Sequence, residues 1–115
     1  MKYKENWEET KQKWEKYWKR ENTGRPLMSI IAEKPEAMDA ERAARLKSVD
    51  VEDKYMDPER IVERFRYFCE THDFLAESFP NLSVDFGPGS MAGYLGSEIV
   101  FDMKTDWFRE FVEDW

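Results

Sequence analysis

Four of the chain's five glycines, Gly87, Gly89, Gly93 and Gly96, fall within ten residues of one another. Glycine is the residue a chain uses where backbone takes angles closed to side chains, or must pass close to another atom. The surrounding segment, 79–97, reads as an apolar strand, a glycine-rich turn and a short helix closed by glycine. Leu82, Val84 and Phe86 alternate with Ser83 and Asp85 as a half-buried strand does. Pro88 to Leu95 supply the helix. The segment is the expected position of a pocket.

The 115 residues allow one domain, and a 41% hydrophobic, 16% aromatic composition suffices to bury a core. The formal charge of −7 repels phosphate backbones. The basic residues of 11–20 alternate with Trp and Glu instead of forming a block, so nucleic acid is not an expected partner. No apolar run approaches the roughly 18 residues of a membrane span, and no apolar stretch follows Met1 as in a secretory leader. Cys69 is the lone cysteine, which excludes an internal disulfide and points to the cytoplasm.

Residues 6–20 read as a helix. Asn6 is an N-cap residue with Glu9 three positions on, as in a capping box. Trp7, Trp14 and Trp18 share one face, which packs on the rest of the protein or docks on a partner subunit. Asn22, Thr23 and Gly24 end that helix. Arg25-Pro26 then opens Leu27–Ala32, a strand-length run that looks buried on both faces, as in a parallel sheet. Residues 33–54 are poorly patterned. The alanines of 36–47 favour a helix there, mobile or forming an ordered excursion.

Asp57-Pro58-Glu59 is a helix start, with an N-cap, proline at the first position and an acid in the first turn. Ile61, Phe65, Phe68 and Cys69 form its apolar face, and the helix is expected to end near His72. Arg66 and Glu70, four apart, form a solvated pair. Ile99–Met103 is a further candidate strand, and Trp107, Phe108, Phe111 and Val112 form an aromatic segment ending at Trp115.

Four arrangements have the residue types for chemistry. Gly87-Pro88-Gly89-Ser90 before a helix has free first-turn N–H groups for an anion, although the spacing fits neither the dinucleotide fingerprint nor the P-loop; a tight turn shaping a pocket wall is the plainer reading. Cys69 and His72 lie three apart, yet a metal site needs three or four convergent ligands, so a core cysteine and a histidine near a helix C-terminus explain them better. Asp85, at a strand's end, is a candidate acid, base or substrate anchor or a turn-forming aspartate. Asn81 carries the same two readings. His72 and Asp85 are thus the catalytic candidates.

Arg25-Pro26 opening the first strand, Asp57-Pro58-Glu59, Phe79-Pro80-Asn81-Leu82, and Gly87-Pro88-Gly89 leading to Tyr94-Leu95-Gly96 together resemble one family in that order. It is the uroporphyrinogen decarboxylase-like superfamily, in its branch near the corrinoid-dependent methyltransferases. The closing Glu113-Asp114-Trp115 also resembles that branch. The resemblance covers most of the chain except roughly residues 35–53.

The resemblance implies a TIM barrel, which needs about 200 residues or more, so the chain corresponds to the N-terminal third and its fold class is α+β, an incomplete barrel. It implies that Asn81, Asp85, Gly87, Gly89 and Ser90 lie near the barrel's substrate mouth. The zinc-binding His and Cys residues of the methyltransferase branch come from the part not matched. No cofactor is therefore expected within this chain, the family's zinc and corrinoid partner being supplied elsewhere. The arginine-rich segment with which decarboxylases hold porphyrin carboxylates has no counterpart here.

A partial barrel leaves strand edges and apolar faces uncovered, so a homo-oligomer is expected, covered by the Trp7/Trp14/Trp18 face or the Trp107–Trp115 tail. Three functions follow: a pocket-wall segment without turnover of its own, a stand-alone module binding a small ligand or a protein, or a minimal enzyme using Asp85 and His72.

Overall fold

The computed structural model describes all residues except Val84, Asp85, Pro88 and 113–115. It is a mixed helix-and-strand structure of five α-helices and two separate two-stranded antiparallel sheets among the described residues. The residues cluster into two compact units, one built from Met1–Arg45 with Arg64–Leu82, the other from Leu46–Glu63 with the described residues from Ser83 onward.

In the first unit, helix α1 spans Trp7–Trp18. Asn6 precedes it but does not cap it in the expected way: its side-chain amide donates to the Glu9 carboxylate at 3.5 Å, and no backbone N–H bonds to it. The tryptophan stripe divides. Trp7 and Trp14 pack on Phe79, with ring centroids 5.2 and 6.2 Å away, while Trp18 is 75% exposed.

Strand β1 covers Ser29–Glu33 and pairs with β2, His72–Ala76. The pairing is antiparallel, with Ile30 opposite Leu75 and Ile31 opposite Phe74. This corrects the parallel, doubly buried strand read from the sequence: Ile30, Ile31 and Leu75 are 42, 47 and 46% exposed. Between β1 and β2 come a 3-10 turn, Pro35–Ala37, and helix α2, Ala40–Leu46, in place of one continuous helix over 36–47. Asp39 takes the first turn of α2, its carboxylate accepting from the Arg42 N–H at 3.0 Å.

Helix α4, Pro58–Thr71, starts as its sequence predicts, the Asp57 carboxylate accepting from the Arg60 N–H at 3.0 Å. It ends one residue before His72, which is the first residue of β2. Cys69 and Phe74 are the buried hydrophobic residues of this unit, beside the buried Thr10 and Thr71. Glu70 pairs with Arg42 at 2.7 Å, a partner that an i, i+4 reading of α4 alone does not suggest.

The second unit holds α3, Val51–Tyr55, which the sequence left unpatterned; Asp50 caps it, accepting from the Asp53 N–H at 2.8 Å. It also holds α5, Ser90–Tyr94, and the hairpin strands β3, Ile99–Phe101, and β4, Asp106–Phe108. The strand expected over 82–86 is not formed by its described residues, Leu82, Ser83 and Phe86. Tyr55 and Phe86 both pack on Phe101, at centroid distances of 5.1 and 5.3 Å.

Candidate functional site

The glycine turn is held tightly by its own unit. Gly87 takes φ +85° and Gly96 φ +107°, the left-handed region where only glycine is at ease. Gly89 lies so close to Phe108 that a Cβ would come within 2.2 Å of the ring, and a Cβ on Gly93 would meet Ile99 at 2.8 Å. The glycines thus let α5 lie directly on the β3–β4 hairpin. Ser90 is engaged within the turn, its hydroxyl donating to the Gly87 carbonyl at 2.7 Å and accepting from the Phe86 N–H at 2.9 Å. Near this turn, Asp106 Oδ1 is a buried oxygen with no hydrogen-bond partner among the described residues.

The other sequence-derived candidates are dispersed. Asp85 lies outside the described residues. Asn81 is exposed, in a segment after Phe79 without regular secondary structure. His72 is half-buried, its ring 4.2 Å from that of Phe68. Its Nδ1 lies 2.9 Å from the Phe68 carbonyl and 3.1 Å from the Thr71 hydroxyl. A carbonyl only accepts, so this contact has Nδ1–H as its donor. Cys69 is fully buried, and burial pushes its thiol up. Among the described residues no group of three or more His, Cys, Asp or Glu converges as metal ligands.

A second locus, absent from the sequence-derived candidates, is built around Glu77. Its residue is 1% exposed. The Arg25 guanidinium donates to both carboxylate oxygens, at 2.8 and 2.6 Å. Lys13 Nζ adds a contact of 3.2 Å and the Met28 N–H one of 3.0 Å. The Arg25 hydrogen bonds, aided by Met28 and Lys13, hold the carboxyl at about 2, against the upward push of burial. The Glu77 backbone is fixed too: its N–H donates to the Met28 carbonyl at 2.9 Å, and its carbonyl accepts from the Trp14 indole at 2.9 Å.

Glu77 sits where β2 ends. Ala76 just before it has φ +49°, and the Ser78 hydroxyl just after it reaches the Ile30 and Leu75 carbonyls at 2.6 Å. One sequence signal existed for this locus. Glu77 is the only charged residue between Asp73 and Asp85, inside an otherwise uncharged stretch.

The outer edge of β2 is also closed. The bonds Lys34 N–H to Thr71 and Glu77 N–H to Met28 fix the ladder phase, so the Phe74 and Ala76 carbonyls point away from β1. Both are taken by the ammonium of Lys4, at 2.8 and 2.7 Å, and Lys4 is itself 5% exposed.

Compared with known proteins, the chain matches no family model, and neither the curated proteins nor the solved structures give a significant match. Among the described residues no helix is long and apolar enough to cross a membrane.

Proposed function

We propose that the chain is the N-terminal segment of a uroporphyrinogen decarboxylase-like or corrinoid methyltransferase-like protein. It supplies a wall of the substrate pocket and has no turnover alone. In this reading it works in the cytoplasm, self-associates when isolated, and takes no cofactor itself, zinc and the corrinoid partner acting through other segments. Asn81, Asp85, Gly87, Gly89 and Ser90 contribute the wall.

The observation that carries the reading is the unequal state of the β1–β2 sheet. Lys4 closes the outer edge of β2, whereas Ile30 and Ile31, on opposite faces of β1, stay nearly half exposed. A strand apolar on both faces is the composition of sheet interior. Its exposure is what a sheet continued and covered by further chain leaves behind when that chain is removed.

The test is a titration of the isotopically labelled chain, followed by amide NMR, with a methylated amine and with a porphyrin polycarboxylate, alongside assays of both chemistries. The reading predicts shifts at Asn81, Gly87, Gly89 and Ser90 with at least one probe, and no product. Product made by the chain alone, or amides of 81–90 that respond to no probe, overturns it.

A further inference from the structure

A recess of about 240 Å³ opens beside Glu77, with Lys13, Lys16, Asn22, Thr23 and Arg25 around it and Leu27 on its wall. Three cations and one carboxylate line it, on a chain whose formal charge is −7. We propose that this recess binds a small dianion, a phosphoryl group or a short dicarboxylate.

The donors are already arranged. Of the five N–H groups of a guanidinium, Arg25 commits three, to the two Glu77 oxygens and the Pro26 carbonyl. Two remain. Lys13 commits two of its three donors, to Glu9 and Glu77. Lys16 has no carboxylate partner among the described residues and keeps all three. Asn22 and Thr23 complete the lining.

Glu77 is the part that makes the arrangement selective for an anion. Its oxygens are saturated by Arg25, Lys13 and Met28, so it offers no free acceptor to a cation. It anchors the Arg25 and Lys13 heads, which lowers the ordering cost that flexible basic side chains otherwise exact on binding. A structural ion pair between Arg25 and Glu77 has no need of Lys16. With Glu77 and Glu9 set against Lys13, Lys16 and Arg25, the locus keeps a net positive charge, carried by the unpaired Lys16, and charge-assisted hydrogen bonds from Arg and Lys are the strong ones for phosphoryl and carboxylate oxygens. This site lies in the first unit and is independent of the pocket wall proposed for residues 81–90.

The experiment titrates inorganic phosphate and, separately, succinate into the labelled chain, with sodium chloride at matched ionic strength as the control. Saturable amide shifts confined to residues 13–16 and 22–27 are expected with at least one of the two; phosphate alone identifies a phosphoryl ligand and succinate alone a dicarboxylate. Lys16→Gln, which leaves the Glu77 contacts intact, is expected to weaken binding about fivefold. Lys19→Gln, on the same helix end but outside the recess, is expected to leave it unchanged. Shifts reproduced by chloride, no saturation up to about ten millimolar, or equal loss in the two variants overturns the proposal.

Discussion

Arg25 and Glu77 stand 52 residues apart in sequence, and the guanidinium of the first grips both carboxylate oxygens of the second, at 2.8 and 2.6 Å. The pair ties the turn entering β1 to the turn leaving β2. Glu77→Gln keeps the shape but removes the charge from these bonds. A loss of about 1.5–3 kcal/mol is expected, the scale of a hydrogen bond to a charged group, read by urea denaturation.

The same carboxylate sets an acid response. Its folded-state value, about 2, lies below the ordinary 4.5, so its stabilising effect is complete above pH 4.5 and is lost as pH falls toward 2. Arg25 is half exposed, and solvent screening reduces the size of the effect. The wild-type melting temperature should fall more steeply between pH 4.5 and 2 than that of Glu77→Gln. Parallel curves would show that Glu77 does not drive the response.

Lys4 is buried for a single purpose that the contacts make plain. Its ammonium serves the outward Phe74 and Ala76 carbonyls, which β1 cannot reach. Lys4→Met keeps the aliphatic stem and strands both carbonyls. Unsatisfied buried acceptors cost about 1–3 kcal/mol, and faster hydrogen exchange across β2 should accompany that loss.

Gly89 and Gly24 separate two reasons for glycine. A Cβ at Gly89 would meet Phe108 at 2.2 Å, whereas at Gly24 it would meet nothing, the residue needing only its φ of +99°. Gly89→Ala is expected to cost about 1–3 kcal/mol through overpacking, and Gly24→Ala about 1 kcal/mol through backbone strain. Combining Gly89→Ala with Phe108→Ala should cost less than the two single changes added together, because the clash disappears. Strict additivity in thermal unfolding would contradict the close contact.

What the sequence conveyed was local. Asp57-Pro58 announced α4 because capping and proline geometry act within one turn. The tryptophan spacing announced α1 for the same reason. The partner of β1 was not legible, since pairing depends on residues 39 to 47 positions away and an apolar run looks alike in parallel and antiparallel sheets. His72 looked like a helix terminus because strand β2 follows α4 without a turn residue between them. The glycine cluster was legible as close backbone approach, yet sequence could not say to what; Phe108 and Ile99 are the answer at Gly89 and Gly93. Glu77 was one acid among 25 acidic residues; its uncharged neighbours set it apart, but nothing local names the distant arginine that pairs with it.

The central claim is that the apolar faces of β1 require cover from outside the sheet. Multi-angle light scattering on the purified chain across a concentration series tests it most directly. Covered faces predict a mass well above the 13.9 kDa of one chain, rising with concentration toward a defined multiple. A constant 13.9 kDa at every concentration would contradict the claim.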